Sequence, residues 1–373
     1  MLTELCKFFL ILGATGFGGP LSLIQQMRSY FVDQTKQMTA SEFDQAFTLI
    51  KAMPGPIAFQ MAVFCSQKLA GRLAAIASGF CLLLPAFLLM ILAGLGYQFL
   101  TENIYITQVL SGFQFAVAAV ILLSLKTLFK QYYKIIWFWL ILVICAAFYW
   151  FQILPEPVLI VGFGILCAVN LKAKKVGSNA LMFAASVDPD VLWKLLKVCT
   201  YASAFVFGTG LALLPVLQQQ FVTQYHWLSP QVFNDGVTFG QMTPGPITIT
   251  ATFLGYKIAG LWGAVAATLG IFLLPLIHML TWFPKVLSWL SRQRWIADFL
   301  LGATAAVVGV LLITVFRMNE PFMKSVPFWL IFLSSFIFLI SKPKTAIYKI
   351  IFFAGFLNLI LNLIINFATM NAV

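Results

Sequence analysis

The 373-residue sequence is written twice. Phe17-Gly18-Gly19-Pro20 is echoed by Phe207-Gly208-Thr209-Gly210, and Pro54-Gly55-Pro56-Ile57 by Pro244-Gly245-Pro246-Ile247. Lys68-Leu69-Ala70-Gly71 returns as Lys257-Ile258-Ala259-Gly260, and Leu83-Leu84-Pro85 as Leu273-Leu274-Pro275. Three of these offsets are 190 residues and one is 189. A lone PGP carries little information, but four collinear matches at one offset require a duplicated unit. The fold must be one that two copies of a half can build together. The halves are expected over 1–170 and 193–373. The stretch 171–192, with Lys172, Lys174, Lys175 and Asp188-Pro189-Asp190, reads as a polar linker.

Hydrophobic residues make up 61% of the chain and charged ones 9%, against roughly 25% charged in soluble domains. A soluble enzyme of this length could not bury so much apolar surface. A bilayer core of about 30 Å takes about 20 apolar residues per helical crossing. The sequence therefore predicts an all-α polytopic membrane protein, its partner the lipid bilayer, with about six membrane elements in each half. In the first half these are Leu5–Gln26, Asp44–Ser66, Leu73–Tyr97, Ile104–Phe129, Ile135–Phe151 and Val158–Asn170. In the second they are Trp193–Leu217, Asn234–Tyr256, Leu261–Phe283, Trp295–Phe316, Pro327–Ile340 and Ile347–Asn366. The formal charge of +12 does not indicate nucleic acid, because the Lys and Arg residues sit in small groups between apolar runs, as orientation-setting loop charges do. Six scattered cysteines without a CxxC pair suggest neither a disulfide framework nor a metal site, and no cofactor is expected. The opening apolar run lacks a small-residue cleavage site and is expected to be retained.

The second element of each half is divided by its PGP. Asp44–Met53 and Ile57–Ser66 are ten residues each, so each piece reaches only about 15 Å, half the hydrocarbon core. The segment is either a broken helix that crosses or a re-entrant hairpin. Charge counting favours the hairpin. With Lys51 set aside and both PGP elements re-entrant, 18 Lys and Arg residues fall inside, and only Lys7, Lys257, Arg317 and Lys324 fall outside. Twelve straightforward crossings would give 14 inside and 8 outside, a poorer match to the positive-inside rule. Each half then crosses five times, so the halves are inverted. Inverted repeats with discontinuous helices near the midplane are a recurrent secondary-transporter plan.

A helix break within lipid is tolerated only where the freed backbone faces protein or water. Pro56 and Pro246 suit the first position of a new helix, and Gly55 and Gly245 let the chain turn sharply after Pro54 and Pro244. The N–H groups that follow, from Ile57 and Ile247, combine free donors with the positive end of a helix dipole, which is an anion site. Gly18, Gly19 and Pro20 in one half, and Gly208 and Gly210 in the other, would bring further bare backbone to the same place. Each break also ends a helix, at Met53 or Thr243, where a cation would be favoured instead. Lys51 decides for an anion: an unpaired charge there costs about 2.5–3.5 kcal/mol, and a bound anion would offset it. Its repeat mate is Gln241, so the two copies are not equivalent. Gln60, Thr243 and Thr248 add hydrogen-bonding capacity. The bland alternatives are a proline kink for PGP, snorkelling for Lys51 and simple packing for His278.

In these residues the chain resembles the chromate transporter family. The match covers both halves and is strongest in Phe239-Gly240-Gln241-Met242-Thr243-Pro244-Gly245-Pro246, Ala251-Thr252-Phe253-Leu254-Gly255-Tyr256 and Gly270-Ile271-Phe272-Leu273. The resemblance implies efflux of chromate, with sulfate as the natural look-alike, in a bacterial inner membrane, coupled to the membrane potential or to protons. The expected partners are thus a small anion substrate and a coupling proton. The oligomeric state, homo-oligomer included, stays open. Rival readings are a carrier of another ion or small solute, a non-transporting membrane subunit and an intramembrane enzyme. The last would need a nucleophile–base pair or metal ligands, and no intramembrane His/Asp/Glu cluster is evident.

Overall fold

The computed structural model describes residues 1–130, 132–169, 191–207, 209–290, 293, 295–342 and 345–370. The expected linker therefore lies, apart from 191 and 192, outside the described residues, as does Gly208. The first half consists of α1 (Leu2–Thr15), α2 (Gly19–Arg28), α3 (Ala40–Ile50), α4 (Ile57–Glu102), α5 (Ile104–Phe129), α6 (Ile136–Trp150) and α7 (Glu156–Val169). The second consists of α8 (Val191–Ala204), α9 (Leu213–Gln218), α10 (Pro230–Met242), α11 (Thr250–Thr281), α12 (Phe283–Leu290), α13 (Trp295–Asn319), α14 (Val326–Ser341) and α15 (Ile347–Met370). Among the described residues there is no strand. Five stretches, namely 57–102, 104–126, 247–281, 295–322 and 347–367, are helical, long and apolar enough to cross a membrane, and α6, α7 and α14 are shorter apolar helices. Leu88, Leu92, Leu95 and Phe99 stay exposed along α4, and Phe352, Phe353, Phe356 and Phe367 along α15. Exposed apolar faces of this extent are a liability in water and the normal state of a helix in lipid.

The duplication reaches into details that no motif advertises. π-helical turns occupy Ser29–Gln34 and Gln219–Gln224, and the backbone turns through positive φ at Lys36 (53°) and His226 (51°). The hydroxyls of Thr39 and Ser229 then cap α3 and α10 by accepting from Glu42 and Val232 N–H groups. Each of these pairs is separated by 190 residues.

The two halves interlock. α5 packs on α14 and α15, while its repeat mate α13 packs on α6 and α7, so each half wraps one helix of the other. Gln114, Val117 and Ile121 of α5 share a small cavity with Val315 and Met318 of α13, whereas Leu128 lies on the same larger cavity as Leu300 and Thr304. The mates α5 and α13 therefore run antiparallel, and the operation relating the halves reverses direction. Two hydrogen bonds repeat that operation at the PGP turns. Gly55 N–H donates to Val206 O at 2.9 Å, and Gly245 N–H donates to Gly16 O at 3.0 Å. The acceptors, like the donors, are 190 residues apart, the reciprocity expected of a two-fold axis.

Two expected elements are subdivided. Leu5–Gln26 reads as one run, yet the helix stops at Thr15 and restarts at Gly19, because Gly18 sits at φ 104°. Its mate Trp193–Leu217 stops at Ala204 and resumes at a 3-10 turn, Gly210–Ala212. Around the PGP turns the chain doubles back. Lys68 Nζ lies 2.6 Å from Glu42 Oε1, which puts the far end of the helix after the turn beside the start of α3. In the second half, a Cβ on Gly236 would meet Phe253 and Leu254, and one on Gly240 would meet Thr250. The direction then changes again at Gly71 within α4 and at Ala259-Gly260 within α11.

Candidate functional site

The helix ends created by these turns border one cavity of about 340 Å³. Gly18, Gly19 and Pro20 bring the start of α2, Ile57 the start of α4, and Gly245 and Ile247 the turn leading into α11. The first N–H groups of a helix have no partner within it, so these starts offer donors to the cavity. Side-chain polarity comes from Lys51, Thr48, Tyr132, Thr209, Gln241, Thr243 and Thr304. Among the described lining residues Lys51 is the single charge. It is half-buried, its ammonium sits 4.2 Å from the centre of the Phe47 ring, and no ion pair to it occurs among the described residues. The Nε2 of Gln241 is buried without a hydrogen-bond partner, as is the hydroxyl of Thr248. The cavity thus carries one cation, one orphaned donor and several helix N-termini, without a carboxylate.

The residues singled out in the sequence divide in two. Gly18, Gly19, Pro20, Lys51, Ile57, Gln241, Thr243, Gly245 and Ile247 line the cavity. Pro54, Gly55, Pro56, Gln60, Gly210, Pro244, Pro246 and Thr248 lie beside it without lining it. They support the turns instead. Gln60 Nε2 donates to Pro54 O at 2.6 Å, fixing the first turn from within, and Gly55 is wedged so tightly that a Cβ would come 2.4 Å from Pro275 Cγ. Thr48, Tyr132, Thr209 and Thr304 also line the cavity and were not anticipated. Thr48 stands three residues before Lys51, on the same helix face, which is a usable signal; Tyr132 and Thr304 arrive only through tertiary packing. Among the described residues no group of three His, Cys, Asp or Glu is arranged to hold a metal.

The sequence model of the chromate transporter family matches this chain twice, over residues 3–169 and again over 193–359. The chain belongs to the chromate transporter family. Within known chromate transporter relatives, a probable chromate transport protein of Synechococcus elongatus is 30% identical over 346 residues, covering 88% of both chains. A chromate transport protein of Cupriavidus metallidurans is 30% identical over 334 residues, covering 83% of this chain and 80% of its own. An uncharacterized transporter of Methanocaldococcus jannaschii is 26% identical over 357 residues, covering 90% and 88%. No solved structure matches the chain. The double match of the chromate transporter pattern coincides with the duplicated geometry, so the cavity where the two copies meet is the place to look for the transported ion.

Proposed function

We propose that the chain is a secondary transporter that moves a doubly charged oxyanion of the chromate or sulfate type across a bacterial inner membrane. The observation that carries this reading is Lys51, an unpaired ammonium on a cavity shared by both PGP turns. The N-termini of α2 and α4 each add roughly half a positive charge, so together with Lys51 the site offers about two. That balances a dianion and leaves a monovalent cation without a counterpart. The orphaned Nε2 of Gln241 gives the anion a neutral donor from the opposite copy. A carrier of cations would need the carbonyl ends of α3 and α10 to face the cavity with an acid nearby, and the lining residues include no acid.

In this reading the PGP turns are the tips of re-entrant hairpins, the repeats are inverted across the bilayer, and the Lys- and Arg-rich loops are cytoplasmic. A proton is the coupling ion, and the oligomer is one or more copies of this chain. The test is uptake into proteoliposomes of radiolabelled sulfate and chromate with phosphate, nitrate and alkali cations as competitors. Competition by tetrahedral dianions alone supports the reading. Uptake driven by a cation and indifferent to anions overturns it.

A further inference from the structure

The central cavity has a counterpart that is shut. Thr48, Leu128 and Thr304 line the 340 Å³ cavity; their mates at an offset of 190, Thr238, Met318 and Gln114, line a second cavity of about 10 Å³, room for about one water. The same contrast runs along the helices that lead into the two PGP turns. On α3, Asp44, Gln45 and Thr48 are exposed. Their mates on α10, Asn234, Asp235 and Thr238, are 5%, 1% and 1% exposed. Two copies of one unit thus stand in two different states.

The shut side is fastened by groups that the open side lacks. Asp235 accepts hydrogen bonds from Tyr97 Oη at 2.6 Å and Gln114 Nε2 at 2.5 Å, with Gln231 Nε2 at 3.4 Å on its own helix. Asn234 Nδ2 donates to Met318 O at 2.9 Å. Tyr97 belongs to α4 and Gln114 to α5, so the carboxylate ties α10 across the boundary between halves. Lys257 closes the cluster, 4.7 Å from the centre of the Tyr97 ring. The mates of Asp235, Tyr97 and Gln114 are Gln45, Leu287 and Thr304, which cannot rebuild a carboxylate held by two donors. The remaining acceptors of the cluster, Gln114 Oε1 and Asn234 Oδ1, are buried without partners and both residues border the water-sized cavity. They are polar groups waiting for water, as the lining of a collapsed pathway would be.

We propose that Asp235, held by Tyr97 and Gln114, is the latch of a gate on the membrane face opposite the opening beside α3. Transport exchanges the states of the two halves: α10 parts from α4 and α5, the small cavity opens, and α3 closes over its own side. A buried carboxylate is strongly destabilised when it loses part of its hydrogen-bond set, so the latch is either made or fully released. This inference rests on the central cavity being the transport path, but not on which ion travels there.

The test uses the full-length chain with Cys6, Cys81 and Cys167 replaced by Ala and a single new cysteine at Thr48→Cys or Thr238→Cys. An impermeant thiol reagent is applied from each face without any transported anion. In the parent, the cysteine at 48 labels and the one at 238 does not. In Asp235→Asn and, separately, Tyr97→Phe, labelling at 238 should rise about tenfold or more, the effect of losing a charge-assisted hydrogen bond, and labelling at 48 should fall. Protection at 238 in both variants overturns the gate. So does a rise at 238 with no fall at 48, which would mark local loosening instead of exchange. The readout needs no substrate, so failure of the oxyanion reading would leave this result standing or falling separately.

Discussion

The glycines of the two PGP turns occupy matched positions in the sequence but not in the structure, and Ala substitution should expose the difference. Gly55 sits at φ 118° and Gly245 at φ 99°. Either change places a side chain in a backbone region that costs about 1–3 kcal/mol. At Gly55 the new Cβ would also come 2.4 Å from Pro275 Cγ and 2.9 Å from Pro275 Cβ. A proline ring embedded in α11 has no rotamer to yield, so overpacking adds about 1–3 kcal/mol, and any shift endangers the Gly55 N–H bond to Val206 O. At Gly245 the nearest atoms are Ala86 Cβ at 3.3 Å and Gly13 O at 3.6 Å, which need only small adjustments. Gly55→Ala should therefore cost about 2–6 kcal/mol and Gly245→Ala about 1–3 kcal/mol. Unfolding in detergent titrated with a denaturant, followed by tryptophan fluorescence, measures both. Equal costs, or a larger cost at Gly245, would refute the steric argument and return the two turns to equivalence.

Two more outcomes follow from charge. Single cysteines replacing Glu102 and Glu320 should react with an impermeant reagent from the periplasmic face, and those replacing Lys130 and Lys342 from the cytoplasmic face; the reverse pattern at either pair would contradict the inverted repeat. The Glu42 carboxyl is held at about 2, below its usual 4.5, by the Lys68 ammonium and then by the N–H and hydroxyl of Thr39. A lowered folded-state value means that its contribution is full above the usual carboxylate range and fades as pH falls toward 2. Wild type and Glu42→Gln should differ in unfolding midpoint at pH 6 and converge near pH 2, whereas a gap independent of pH would mean that the Lys68 pairing contributes nothing.

Much of this architecture was legible because a duplication offset carries geometry as well as homology. Once Pro54 and Pro244 were paired, the chain had to offer two equivalent turns, and the charges around Lys68 and Lys257 indicated how many crossings lay between them. The break at Gly16–Gly18 was not legible as a break, since hydropathy is blind to a φ of 104° at Gly18 inside an apolar run. Nor could the sequence tell which PGP atoms face the cavity. Gly55 turns inward to Pro275 while Gly245 lines the space, a difference set by which side of the molecule is closed. Asp235 was hidden for another reason. It stands at the edge of an apolar run, where a carboxylate reads as an interfacial charge, and its partners Tyr97 and Gln114 lie 138 and 121 residues away.

The central claim is that Lys51 meets a bound oxyanion, and the measurement that tests it most directly is equilibrium binding of radiolabelled sulfate and chromate to purified wild type and Lys51→Gln. Loss of a hydrogen bond to a charged group costs about 1.5–3 kcal/mol, so the variant should bind roughly ten- to a hundredfold more weakly while keeping its unfolding midpoint. Unchanged affinity for both anions in a folded Lys51→Gln protein would contradict the account and leave Lys51 as a snorkelling side chain stacked on Phe47.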